Sequence, residues 1–287
     1  MSKSKILVVG GTGYIGKRIV NASLAQGHPT YVLMRREIGF DIEKVQMLLS
    51  FKEQGARLVE GSFSDHHSLV DAVKQVDVVI CAMSGVQFRS HNILLQLKLV
   101  DAIKEAGNIK RFLPSEFGID PARMGHALEP GKETFGDKMI VRKAIEEAEI
   151  PYTYISANCF GGYFVVVFMD EDDVATYTVK TVDDTRMLNK TLYLRPQENI
   201  LTHNQLVEKW EKLTHKKFEK VYISAQDFLA SMKDLDNALQ AGYARIYHIY
   251  YDGCTMNFDI GEWGGEASEL YPEVRYTRVH EYLQRYL

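Results

Sequence analysis

Hydrophobic positions in the first half of the chain fall in short runs separated by amphipathic stretches. Lys5-Ile6-Leu7-Val8-Val9 and Asp77-Val78-Val79-Ile80-Cys81-Ala82 are apolar without alternation, the pattern of strands covered on both faces of a parallel sheet. Thr30–Met34, Arg57–Glu60, Arg111–Leu113 and Tyr152–Ile155 read as further strands. Helical periodicity fills the intervals: Tyr14 to Gln26, Asp41 to Gln54 with Val45, Leu48, Leu49 and Phe51 on its apolar side, Ser64 to Lys74 with Ser64 as N-cap, Asn92 to Ala106, and Glu133 to Ala148. Such alternation predicts an α/β fold, a doubly wound parallel (Rossmann) sheet with right-handed crossovers. Ligands of these sheets lie at the carboxyl ends of the strands. That rule gathers Gly10–Gly16, Arg35, Met83–Val86 with Ser84, Pro114–Gly118 with Phe117, and Ser156–Phe160.

Beyond Phe160 the pattern loosens into shorter strands (Thr191 to Arg195, Val221 to Ser224) and helices (Asn204 to Leu213, Ala225 to Lys233), with many aromatics, among them Tyr243, Tyr247, Tyr250 and Tyr251. Two units are expected: a dinucleotide-binding domain over 1–157 and a smaller α/β substrate-binding domain over 158–287, whose chain can cross back to the main sheet. No internal repeat or low-complexity linker divides them.

The turn closing the first strand is Gly10-Gly11-Thr12-Gly13-Tyr14-Ile15-Gly16. Gly10 permits the tight turn, Gly13 lets the backbone approach a pyrophosphate, and Gly16 lets helix and strand pack closely. The free N–H groups and positive end of the helix then favour the anion. An NAD-binding chain carries a carboxylate about 20 residues further on, for the ribose 2′-hydroxyl. Here the second strand ends in Arg35-Arg36, and Lys44 follows nine residues after Arg35. A guanidinium grips a 2′-phosphate with two hydrogen bonds, so the reading is NADP(H), although surface Arg pairs are often only solvated.

Composition narrows the class. The chain has 287 residues, 46% hydrophobic and 25% charged, with a net charge of −4. That mild acidity argues against a nucleic-acid partner, which needs a basic face. Cys81, Cys159 and Cys254 are widely spaced and odd in number, so neither a disulfide framework nor a metal site is expected, and a reducing, cytoplasmic compartment is. No signal peptide is expected, since Lys3 and Lys5 run straight into the first strand. The longest apolar stretch, Cys159 to Met169, is too short to cross a bilayer, and no membrane association is expected.

A short-chain dehydrogenase carries Tyr-x-x-x-Lys on the helix after the fifth strand. The stretch here is Thr134-Phe135-Gly136-Asp137-Lys138: the lysine is present and the tyrosine is not. Without a phenol to protonate a carbonyl oxygen, simple ketone reduction is disfavoured. A lysine pKa falls readily on burial or beside another cation, so Lys138 is the candidate general base. The competing reading is a solvated helix lysine. Arg142, one turn on, can bind a cofactor phosphate or depress Lys138.

At this point the chain resembles a family. Val8 to Lys17, Arg111-Phe112-Leu113-Pro114-Ser115-Glu116-Phe117-Gly118 and Asp170-Glu171-Asp172-Asp173 are similar to plant NADPH-dependent reductases of phenylpropanoid metabolism. These include pinoresinol–lariciresinol, phenylcoumaran benzylic ether and isoflavone reductases. Lys44 to Leu49, Ser90 to Leu94 and Pro151 to Tyr154 most resemble the pinoresinol–lariciresinol branch. The resemblance implies NADPH as cofactor, a phenolic lignan as substrate, and a homodimer. It makes Lys138 the base that deprotonates a substrate phenol. The phenolate expels a benzylic ether oxygen, and hydride reaches the benzylic carbon of the resulting quinone methide. It also places Arg35, Lys44 and Arg142 against NADPH. Tyr163 and His248 are candidate substrate contacts, with a satisfied structural histidine the competing reading of His248, and His91 is a weaker candidate. Arg245 stands where the family often has a substrate-contacting histidine.

Family members carry roughly 25 more residues between the counterparts of Phe164 and Val165, longer than most connections in compact domains. An omitted loop, rather than a true deletion of substrate wall, is expected, because a deletion would shear the fold. Two other readings compete with the lignan reductase: a sister reductase, and a non-catalytic NADP(H) sensor, which would have no need of Lys138.

Overall fold

A computed structural model describes residues 2–35, 38–39, 41–84, 93–163 and 167–287. Arg36, His91, Asn92 and the junction at 164–166 lie outside these, as does the side chain of Tyr163.

The N-terminal half is built of β1 (Ile6–Val9), α1 (Gly16–Ala25), β2 (Thr30–Met34), α2 (Ile42–Glu53), β3 (Arg57–Glu60), α3 (His66–Val73), β4 (Val78–Cys81), α4 (Gln96–Ala106), β5 (Arg111–Leu113) and α5 (Lys132–Glu147). The strands form a parallel sheet in the order β3-β2-β1-β4-β5. The order reverses between β1 and β4, which opens the crevice where such sheets bind ligands.

Every β1 residue is buried because each face of the sheet has its own helical layer. Ile6 and Val8 pack with Ile19 and Val20 of α1; Leu7 and Val9 pack with Leu99 and Ile103 of α4 and Val141 and Ile145 of α5. Period-two side-chain direction divides an unbroken apolar run between two cores.

Beyond residue 150 come β6 (Thr153–Ser156), β7 (Cys159–Phe160), β8 (Phe168–Met169), α6 (Glu171–Lys180), β9 (Lys190–Tyr193), α7 (His203–Thr214), α8 (Ala225–Ser231), α9 (Asn237–Tyr250), β10 (Gly264–Glu266), α10 (Ala267–Leu270) and α11 (Val279–Leu283). Strands β6, β9 and β10 pair in parallel. A parallel bridge from Phe112 to Tyr152 and a 2.7 Å bond from the Phe112 N–H to the Pro151 carbonyl join them to β5. Val174, Ala175 and Tyr177 of α6 share a core with α1. Much of the segment 158–287 therefore returns to the main sheet.

Two expectations change. The N-cap of α3 is Asp65, whose carboxylate accepts from the Ser68 N–H at 3.3 Å, rather than Ser64. Val221 to Ser224 forms no strand: Val221 and Tyr222 are each 77% exposed, with no partner strand to satisfy their backbone, and Ser224 caps α8 instead. Beside the shortened junction β7 pairs with β8, Cys159 against Phe168 and Phe160 against Met169.

Two glycines make a test pair. A Cβ on Gly16 would collide with the Gly10 carbonyl, main-chain atoms that cannot move without opening the turn. A Cβ on Gly136 meets nothing within 4 Å, in the interior of α5. Gly16→Ala is expected to lower the melting temperature and abolish cofactor binding. Gly136→Ala should stabilise by about 1 kcal/mol, a rise of roughly 2–4 °C. Calorimetry of both variants checks the pair.

Candidate active site

The glycine turn takes the shape its sequence requires. Gly10 has φ +81, and a Cβ there would come within 2.9 Å of the Ala82 carbonyl oxygen after β4, so turn and strand end nearly touch. The Gly13 N–H donates to the Gly10 carbonyl at 2.9 Å and the Lys17 N–H to the Gly13 carbonyl at 3.1 Å. Helix α1 starts at Gly16 with no side-chain cap and no acid in its first turn. An uncapped helix end behind a small-residue turn fits the pyrophosphate of a dinucleotide. Thr12 is half-buried, Ile15 belongs to the core, and Tyr14 is exposed with its ring 5.8 Å from that of Phe160.

Arg35 is exposed at the end of β2. The Lys44 ammonium sits 2.6 Å from Asp41, the N-cap of α2, and holds that carboxyl below its ordinary value by hydrogen bonding. Both side chains are about two-fifths exposed (44% and 41%). Solvent screens a pair this exposed, so Lys44 can turn to a phosphate at small cost. Ser84 follows β4 at the same edge.

Lys138 is only 9% exposed. Its Nζ donates to the Glu116 carbonyl at 2.8 Å, and Gly118 leaves room beside it: a Cβ there would lie 3.8 Å from Nζ. Phe117 between them is buried and holds φ +40, a conformation costly for a side-chain residue and kept where the surroundings enforce it. The Asn158 N–H and Ser156 Oγ fasten the far side by donating to the Gly118 carbonyl, each at 3.2 Å. Burial pushes the lysine from an ordinary 10.5 down to about 8; Glu116 and Asp120 pull it up, while Arg245 and Arg142 press it down.

Arg142, read as a cofactor-phosphate ligand or as a group that depresses Lys138, turns inward and lowers the lysine pKa. Its Nε and Nη2 donate to the Glu116 carboxylate at 2.7 and 2.5 Å, Nη2 lies 3.0 Å from Asp120, and the guanidinium stacks 4.0 Å over the Tyr154 ring. Two buried carboxylates hold this guanidinium. Sequence spacing put Arg142 on the Lys138 face of α5 but held no sign of carboxylates arriving after β5.

His248, read as a substrate contact or as a satisfied structural histidine, is 2% exposed with both nitrogens committed. The Leu128 N–H donates to Nε2 at 3.0 Å, so Nδ1 carries the hydrogen and donates to Asp252 at 2.5 Å. It is a structural clasp between α9 and residues 126–128. His126, His248 and Asp252 lie close enough to hold a metal ion, but the bonds of His248 leave it no ligand nitrogen. Arg245 instead reaches the site from α9: its Nη2 donates to Thr134 Oγ1 at 3.1 Å, one turn before Lys138.

The acids 170–173 play a part that spacing alone did not disclose. Buried Glu171 accepts from Tyr14 OH at 2.7 Å, the Gly162 N–H at 3.2 Å and Tyr282 OH at 3.3 Å. Asp172 pairs with Arg18 at 3.0 Å, Asp170 with Arg285 at 2.5 Å, and Asp173 accepts from the Thr277 N–H at 2.6 Å. The start of α6 thus ties the glycine turn to the chain's last helix.

His248→Ala should cost about 3 kcal/mol, because it opens a cavity and strands both the Leu128 N–H and Asp252. The expected result is a lower melting temperature with an unchanged substrate KM. A raised KM in an equally stable variant would restore His248 to the substrate.

The NmrA-like family model matches residues 2–168 and 164–283, two stretches meeting at the shortened junction. The chain is 66% identical to an isoflavone reductase homolog of Lupinus albus and 62% identical to a bifunctional pinoresinol-lariciresinol reductase of Linum perenne, each covering all of both chains. The lupin alignment runs over 312 positions against 287 residues here, so 25 have no counterpart in this chain. The solved structure of AtPrR2 with NADP+ and (+)pinoresinol is 57% identical and superposes with a TM-score of 0.96 over 100% of both chains. With its doubly wound sheet and glycine turn, the chain belongs to the NmrA-like family.

Proposed function

We propose that this protein is an NADPH-dependent reductase that opens a benzylic ring ether of pinoresinol to give lariciresinol, and then that of lariciresinol to give secoisolariciresinol. The observation that carries the reading is the buried Lys138 amine, held against the segment that follows β5 at the carboxyl edge of the sheet. The names and bound molecules of the relatives support it.

The glycine turn and the end of α1 are proposed to hold the pyrophosphate, and Arg35 and Lys44 the 2′-phosphate. NADPH, when bound, supplies hydride to the benzylic carbon. Lys138 supplies the base. At pH 7 an amine of pKa about 8 offers roughly 300-fold more neutral base than one at 10.5. It takes the proton of a phenol para to the benzylic carbon. The phenolate expels the ether oxygen as an alkoxide, which takes a proton from water. After hydride addition the new phenolate recovers its proton from Lys138, so each turnover consumes one NADPH and one proton. A tyrosine acid has no step to perform, in keeping with Thr134 at that position. A non-catalytic sensor has no use for a depressed buried amine. Phe160 is proposed for the nicotinamide end of the cofactor and Tyr163 for the substrate.

We assign the protein to the cytoplasm as a homodimer. The three cysteines are free, and among the described residues no helix is long and apolar enough to cross a membrane.

The test is NADPH oxidation with racemic pinoresinol, products resolved by chiral chromatography. Lys138→Ala should reduce kcat by roughly 10²- to 10⁴-fold while still binding NADPH. Wild-type kcat should rise with pH to a plateau, with a midpoint near 8, because the neutral amine is the active form. Turnover surviving in Lys138→Ala would discard the mechanism. Consumption of a phenylcoumaran but not pinoresinol would favour a sister activity.

A further inference from the structure

One residue of the segment after β5 reaches the reactive amine through two of its groups. The Glu116 carbonyl accepts from Lys138 Nζ at 2.8 Å, and its buried carboxylate lies in the fork of Arg142 at 2.7 and 2.5 Å. The strained peptide that follows, Phe117 at φ +40, fixes the carbonyl's direction relative to the side chain. Arg142 is itself held in place by Asp120 at 3.0 Å, and Asp120 accepts from Tyr193 OH of β9 at 2.6 Å. Lys138 and Arg142 are one turn apart on α5, so helix and segment are tied at two successive turns.

We propose that Glu116 is a positioning residue for Lys138, clamped by Arg142, and that this pair sets where the amine points and what charge it meets. The proposal rests on the reading of the chain as a Lys138-dependent reductase. The charged groups facing the amine are Glu116 and Asp120 from the segment after β5, Arg142 from α5 and Arg245 from α9. The two carboxylates hold a proton on the amine, and the two guanidinium groups drive it off. Removing one member of the clamp therefore shifts the amine in a direction that depends on which member is lost. A residue that served stability alone would not do this.

Glu116→Gln keeps the carbonyl and the size of the side chain and removes its charge. The rising limb of kcat against pH should move to lower pH by about one unit, and the plateau should fall roughly 10- to 100-fold as the amine loses its aim. Arg142→Gln leaves two carboxylates uncompensated and should move the limb to higher pH. Arg142→Lys restores the charge without the fork, so the limb should return toward wild type while the plateau stays depressed. The NADPH dissociation constant, read by fluorescence, should remain at the wild-type value in all three. Limbs that stay put, or that move in the same direction for Glu116→Gln and Arg142→Gln, overturn the proposal. Weakened NADPH binding with kcat intact in Arg142→Lys also overturns it and puts Arg142 at the cofactor. Should wild type fail to oxidise NADPH with pinoresinol, the functional reading falls by itself. The rate of Lys138 acylation by acetic anhydride against pH, followed by mass spectrometry, must then show the same opposed shifts, or the proposal falls too.

Discussion

An amine held out of water is the constraint on which the site depends. A charged ammonium is expensive to bury unless partnered, and Lys138 is given one main-chain carbonyl rather than a carboxylate contact. Its proton is therefore held loosely. Carboxylates do stand close by, but Arg142 occupies them first. Had Glu116 paired directly with Lys138, the lysine would have become an ion-pair member with a raised pKa and little use as a base.

The sheet makes this arrangement possible. Parallel strands send all their carboxyl ends to one edge, so the turns after β1, β4, β5 and β6 meet there without further folding machinery. Gly10 packs against Ala82, and Gly118 is fastened to Ser156 and Asn158. The C-terminal segment closes the construction, with β9 supplying Tyr193 to Asp120 and α6 supplying Glu171 to Tyr14. Breaking the buried Arg142–Glu116–Asp120 charge network at one member costs about 3–5 kcal/mol, and Tyr193 ties that network to the C-terminal segment.

The legible elements were those whose signal is local. Continuous apolar runs gave β1 and β4, and the glycine spacing gave the turn. Lys138 emerged from its place in the strand–helix order. What sequence left out depends on partners distant in the chain. The two readings of Arg142 stayed open because Glu116 and Asp120 are 26 and 22 positions away; the two readings of His248 stayed open because nothing announced Leu128 and Asp252 as its partners. The run at 221–224 has strand-like residues without a neighbouring strand, so its propensity had nothing to pair with. The acids of 170–173 stood out only through family resemblance, and their partners Tyr14, Arg18, Thr277, Tyr282 and Arg285 are scattered across the whole chain.

The site turns on the ionisation of one amine, and that can be observed directly. Carbon-13 NMR of protein labelled at lysine Cε, with Lys138→Arg to assign the signal, follows the titration of Lys138. A midpoint near 8, well below the other lysines, is the predicted result. A midpoint at the ordinary lysine value of about 10.4 would show an amine open to water or paired with a carboxylate, and would contradict the account.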